Sequence, residues 1–283
     1  MRVVPVEASK PLNLQGHTLV VPGCGGVAQL GELCTDALVT TYKLSRVGIV
    51  ESGHLLPVAM VSAFSDPSVT ITTAAELYQA AGMPLSVLQL RSAVREGRRQ
   101  ALAREIFGWA RDEGVSTVIV LGSCSSHVKR DADLRAATEL RYVSIAGTSD
   151  RSAGLSITSD EALLPLGHSV GEEELGGAAD GPAAAREMLR GSGLARSLVM
   201  QAGQAAEEEA SGASSPSFKP PSRVLPNLHC LLAFANEVLD WRLPEQLAKA
   251  ACRHLAVESQ PLVAPPSWSF ALQAGMRLDP RLF

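Results

Sequence analysis

The chain has 283 residues, 46% of them hydrophobic, with 25 basic against 29 acidic side chains and a formal net charge of −4. That is enough apolar material for a sizeable core in one or two domains, and the mild charge argues against the strongly basic face that a nucleic-acid backbone demands. No uncharged apolar run nears the roughly 18 residues of a membrane span, and Arg2 and Glu7 flank only a short apolar piece, so no signal sequence is expected.

Residues 1–15 read as an extended lead-in, with Pro5 and Pro11 opposing helix. Residues 17–21 read as a buried strand and 22–26 as a glycine turn. Val27, Leu30, Leu33, Cys34, Ala37 and Leu38 then recur at the spacing of one helix face. Residues 46–50 give a second strand, and this order implies a parallel crossover. Residues 51–68, broken by Gly53, Pro57 and Pro67, form a long loop with room for a short strand. Segments 70–78 and 85–91 predict a hairpin, hence a mixed sheet. Residues 98–112 predict an amphipathic helix with Ala101, Leu102, Ile106, Trp109 and Ala110 on its apolar face and Gly114 as its cap. The β-branched run 117–121 predicts a central parallel strand buried on both faces.

Residues 122–133 read as a polar loop at that strand's carboxyl end and 141–145 as another strand. Residues 147–181 are rich in Gly, Ser and acidic side chains around an apolar island at 163–166. Helices are expected at 183–190 and from Leu194 onward. Residues 207–223, acidic and then Ser/Pro-rich, carry too few hydrophobes to offset ordering entropy and are expected to be a disordered insertion. Residues 228–241 and 243–255 read as helices divided at Pro244, and 265–283 as an irregular C-terminal tail. The pattern predicts a single α/β domain over 1–283, with a mixed, mostly parallel sheet flanked by helices.

Two stretches could carry chemistry. Gly23, Gly25 and Ala28 fit G-x-G-x-x-A after a predicted strand, and Glu51 ends the next strand, as a dinucleotide-binding oxidoreductase would want for pyrophosphate and ribose. A tight strand-to-helix corner favours glycine for steric reasons alone, and Pro22 makes the turn less typical. Ser123, Cys124, Ser125, Ser126, His127 and Asp131 follow the central strand, but their spacing is not G-x-S-x-G, and capping hydroxyls explain them as well. The five cysteines, Cys24, Cys34, Cys124, Cys230 and Cys252, lack a Cys-x-x-Cys pair and imply buried reduced thiols. The six histidines are scattered, so no metal site is expected. Arg95, Arg98, Arg99 and Arg104, mixed with Glu96 and Glu105, read as a solvated helix face.

Several stretches taken together resemble the proteasome assembly chaperone family. These are Asn13-Leu14-Gln15-Gly16-His17-Thr18-Leu19 with the glycine corner and Gln29-Leu30, then Leu44-Ser45-Arg46-Val47-Gly48 and Leu88-Gln89-Leu90-Arg91-Ser92. Val118-Ile119-Val120-Leu121-Gly122-Ser123, Asp133-Leu134-Arg135, Pro266-Ser267-Trp268 and the final Leu282-Phe283 continue the match. The resemblance implies a nucleoside phosphorylase-like α/β fold with neither catalysis nor a cofactor. It implies a cytoplasmic and nuclear chaperone, heterodimeric with proteasome assembly chaperone 1. Such a pair binds the α-subunit ring of the 20S proteasome, helps it form and blocks off-pathway ring pairing. Family tails enter pockets between α subunits with a hydrophobic–tyrosine–any signature. Here Arg281-Leu282-Phe283 departs from it, with Leu282 in the tyrosine place. Docking by Leu282, Phe283 and the terminal carboxylate is the expectation, and a tail folded onto its own domain the alternative. The partner face is expected in the apolar parts of 55–64 or at the glycine corner, with core roles for Leu56, Val58, Met60 and Phe64 as the alternative.

Overall fold

The apolar runs at 18–21 and 117–121 lie side by side as parallel strands, Thr18 opposite Thr117 and Val21 opposite Val120. In a computed structural model, residues 1–7, 12–64, 71–147, 164–166, 189–211, 224–237, 240–255, 257–258, 260–266 and 268 are described. The strands are β1 (Arg2–Pro5), β2 (Thr18–Pro22), β3 (Ser45–Glu51), β4 (Ala59–Val61), β5 (Ile71–Thr73), β6 (Ala75–Gln79), β7 (Leu85–Leu90), β8 (Thr117–Ser125), β9 (Leu140–Ile145), β10 (Leu164–Pro165) and β11 (Asn227–Ala235). The helices are α1 (Leu30–Thr41), α2 (Arg99–Asp112), α3 (Asp131–Leu134), α4 (Leu194–Ser211) and α5 (Arg242–Arg253). Nine strands form one sheet in the order β1-β3-β6-β7-β2-β8-β11-β9-β10, and β4 with β5 forms a separate two-stranded ribbon.

The centre, β7-β2-β8-β11, is parallel, and antiparallel pairs flank it on both sides. Helices cover both faces, and alternation along the strands sorts the side chains between them. Leu19, Val21, Val118, Val120, Leu228 and Leu232 pack with α2 and α4 through Leu102, Ile106, Leu194 and Leu198. Val20, Ile119, Leu121, Leu231 and Ala233 pack with α1 and α5 through Cys34, Leu38, Leu247 and Ala251. The mixed sheet, its central strand β8, the β6–β7 hairpin and the α2 helix agree with the sequence reading. Gly114 closes α2 at φ +74°.

Four readings need correction. Residues 227–235 form a strand, not a helix; β11 is buried throughout and pairs with β8 and β9. Residues 2–5, read as lead-in, pair antiparallel with β3. The polar loop begins only after Ser125, because β8 runs on to that residue, and α3 then interrupts it. The expected insertion begins late, since α4 continues to Ser211 through Glu207, Glu208 and Glu209; residues 212–223 lie outside the described residues. The predicted helix at 183–190 also falls largely outside them. The apolar island gives β10, with Leu166 buried beside it. Pro244 sits in the first turn of α5, where its missing N–H costs no hydrogen bond. The five thiols are free and buried.

Candidate interaction surface and the glycine corner

The glycine corner is a packing joint. Gly23 N–H donates to the Leu121 carbonyl at 2.6 Å, and Leu194 N–H donates to the Cys24 carbonyl at 2.8 Å. A Cβ on Gly23 would lie 2.9 Å from that of Ala195, and one on Gly26 2.7 Å from the Ser123 hydroxyl. The chain thus enters α1 pressed between the end of β8 and the start of α4. It does so through a single 3-10 turn, with Ala28 and Gln29 at φ +56° and +51°, a region costly for residues bearing a Cβ.

This arrangement does not form the cradle that the dinucleotide reading needs. The Glu32 carboxyl group, in the first turn of α1, accepts Gly25 N–H at 3.4 Å, so a side chain of the protein already takes that donor at the helix start. Burial pushes the Glu32 carboxyl up. Glu51, the expected ribose ligand, is exposed on β3, three strand positions from β2, roughly 14 Å at the usual strand spacing. The four residues are not brought together.

The Ser/Cys/His/Asp stretch does not converge either. Ser123 donates to the Val27 carbonyl at 2.7 Å, and Ser125 accepts the His127 N–H at 3.3 Å as a cap. Cys124 is buried, which pushes its thiol up to about 12 and leaves it a poor nucleophile. His127 and Asp131 are exposed.

The outward-facing feature is the β4–β5 ribbon. Val61 and Ile71 are opposed in register and 87% and 57% exposed, and Leu56, five residues before Val61, is also exposed. Two apolar side chains held together in water mark a contact surface more than scattered exposure does. The base of the ribbon is held firmly. Arg46 donates to the Ile71 carbonyl at 3.0 Å and to buried Glu76 at 2.8 Å. Glu76 also accepts Thr73 N–H at 2.9 Å and the Tyr78 hydroxyl at 2.7 Å. Phe64 packs edge-on to Tyr78 at 5.4 Å, with the Arg91 guanidinium 5.6 Å from its ring centre. Arg91 in turn grips buried Asp36 through two bonds of 2.7 and 2.8 Å. Burial pushes Asp36 up, and Arg91 and Gln89 oppose that.

Of the expected partner segment 55–64, Leu55 belongs to the core, Phe64 to the anchor, and Leu56 and Val61 to the surface. Nothing in the sequence pattern distinguishes Ile71; its register opposite Val61 makes it part of the patch. Trp268 is buried, 5.4 Å from Trp241. Leu282 and Phe283 lie outside the described residues.

The fold is a three-layer α/β architecture that carries an anchored ribbon with exposed apolar side chains. The PAC2 family pattern matches residues 20–206, and the chain belongs to that family. It is similar to Proteasome assembly chaperone 2 of Homo sapiens, 29% identical over 143 residues, covering 50% of this chain and 53% of that protein. The chain thus spans about half the length of the curated relatives it matches. Its fold is similar to Pyrococcus furiosus PbaA, an archaeal homolog of proteasome-assembly chaperone, with a TM-score of 0.57 at 13% identity over 97% of this chain and 88% of that one. It is also similar to Pyrococcus furiosus PbaB, an archaeal proteasome activator, with a TM-score of 0.53 at 14% identity over 97% and 95% of the two chains.

Proposed function

We propose that the chain is a chaperone of 20S proteasome assembly that acts by binding, as one half of a heterodimer with proteasome assembly chaperone 1. Family membership over residues 20–206 is the observation that carries this reading. The anchored ribbon supports it by offering Val61, Ile71 and Leu56 as apolar anchors for a partner, in the way small clusters dominate interface energy. The pair holds α subunits until the ring closes and blocks off-pathway ring pairing. Reduced, buried thiols suit the cytoplasm and nucleus as its place of work.

The C-terminal Leu282 and Phe283 add a second contact, docking with the terminal carboxylate into a pocket of the α ring that offers a cation. Deleting residues 281–283 tests this contact: binding to α-ring intermediates should weaken, and unchanged binding would reject a docking role.

A further inference from the structure

The β4–β5 ribbon pairs its strands at Ala59–Thr73, Met60–Thr72 and Val61–Ile71, and among the described residues no ladder joins it to the nine-stranded sheet. A two-stranded ribbon of this size is marginal in water, so its register has to be imposed from outside. Its entry is fixed by the segment that follows β7. Leu56 N–H donates to the Ala93 carbonyl at 3.2 Å, Arg95 N–H to the His54 carbonyl at 2.9 Å, and the Ser92 hydroxyl to the Leu56 carbonyl at 2.5 Å.

The other end, where Val61 and Ile71 lie side by side, is tied through side chains, and each route leads to an arginine. On the β5 side, Arg46 Nη1 donates both to the Ile71 carbonyl and to the buried Glu76 carboxylate. Glu76 also accepts the Thr73 N–H, so one carboxylate holds both the arginine and β5. On the β4 side, Phe64 follows Val61 by three residues. Its ring meets Tyr78 edge-on and the Arg91 guanidinium at 5.6 Å. Arg91 is oriented in turn by its two bonds to buried Asp36 of α1. The Arg46 and Arg91 side chains are 17% and 14% exposed, so neither belongs to the outward apolar pair.

We propose that Arg46 and Arg91 are positioning residues for partner binding: they hold Ile71 and Val61 side by side in the free chain, so that the partner meets a preformed apolar pair. This rests on the proposed role of the ribbon as a contact surface. A preformed patch removes the cost of ordering it on association, and the apparent affinity falls with the fraction of chains in which the patch is formed. The guanidinium suits the task. Arg91 meets the Phe64 ring while its N–H groups are spent on Asp36, and a lysine ammonium has no planar fork to do both.

Amide hydrogen exchange on the free full chain, paired with the Kd of the heterodimer, tests this. Phe64→Leu leaves both ion pairs intact. Arg91→Lys keeps a charge on Asp36 without the fork. Arg46→Gln combined with Glu76→Gln removes a pair together, so no buried charge is stranded. In each, the amides of 59–61 and 71–73 should exchange about tenfold faster or more, while 117–125 in β8 keep their protection. The Kd should rise by about tenfold. Phe64→Tyr, which keeps a ring, should match the unmodified chain in both readouts. Three results would overturn the proposal: unchanged ribbon exchange in Phe64→Leu, faster exchange that spreads equally into β8, or faster ribbon exchange with an unchanged Kd. An unmodified chain that forms no heterodimer rejects the proposed function instead, and the exchange pattern alone then decides whether the arginines hold the ribbon.

Discussion

Asp133 and Arg141 are almost fully buried, joined at 2.9 Å, and the Arg141 guanidinium lies 5.0 Å from the Phe234 ring centre. Arg141 also donates to the Thr138 and Leu140 carbonyls at 2.7 and 2.9 Å. Removing one partner of such a pair strands the other charge. Asp133→Ala is therefore expected to cost about 3–5 kcal/mol in urea unfolding, far more than an exposed substitution. His229 is a second buried group with a measurable consequence. Its Nδ1 meets the Ser144 hydroxyl at 2.8 Å, and its Nε2 is buried without a hydrogen-bond partner. Burial, helped by neighbouring His254, lowers its pKa from 6.5 to about 4. The folded state thus favours the neutral ring, so the unfolded chain binds more protons as pH falls below 6.5. The stability this group contributes is complete above that pH and is lost progressively towards pH 4, by about 3 kcal/mol in total. Thermal melts across that window should show the loss, and His229→Gln should flatten it.

At the scale of elements, the ribbon is a surface carried by a buried polar anchor, and the two parts can be separated by mutation. Val61→Asp with Ile71→Lys touches only exposed positions and sets opposite charges across the ribbon, so stability should stay within about 0.5 kcal/mol per site while heterodimer formation is lost. Size-exclusion chromatography of the co-expressed pair reads this directly, and an intact pair would move the interface elsewhere. The sequence made β2, β7, β8, α1 and α2 legible because their periodicity and flanking glycines agree. It misled at β11, where Leu228, Cys230, Leu231, Leu232, Ala233 and Phe234 form an apolar run, broken only by His229, without β-branched residues. Periodicity cannot separate a strand buried on both faces from a buried helix, and here tertiary burial overrides helix propensity. The candidate sites were less legible still. Glycine spacing at 23–28 is the same for a phosphate cradle and a packing joint, and only the contacts with Leu121, Ser123 and Ala195 separate them.

Across the whole molecule, the stretches that carried the family resemblance turn out largely to hold the fold. Gln89 and Arg91 grip Asp36, Arg46 grips Glu76, Asp133 grips Arg141, and Trp268 packs on Trp241. These contacts fix the sheet and its two helical layers and anchor the base of the ribbon. A stable heterodimer buries on the order of 1,600 Å² in total, so under the proposed function the ribbon would be the centre of a larger contact. The most direct measurement is co-expression of the tagged full chain with proteasome assembly chaperone 1 and the 20S α subunits, followed by affinity purification and native gel analysis. A chaperone role predicts recovery of the heterodimer together with α-subunit intermediates. Recovery of the chain without either partner would contradict it.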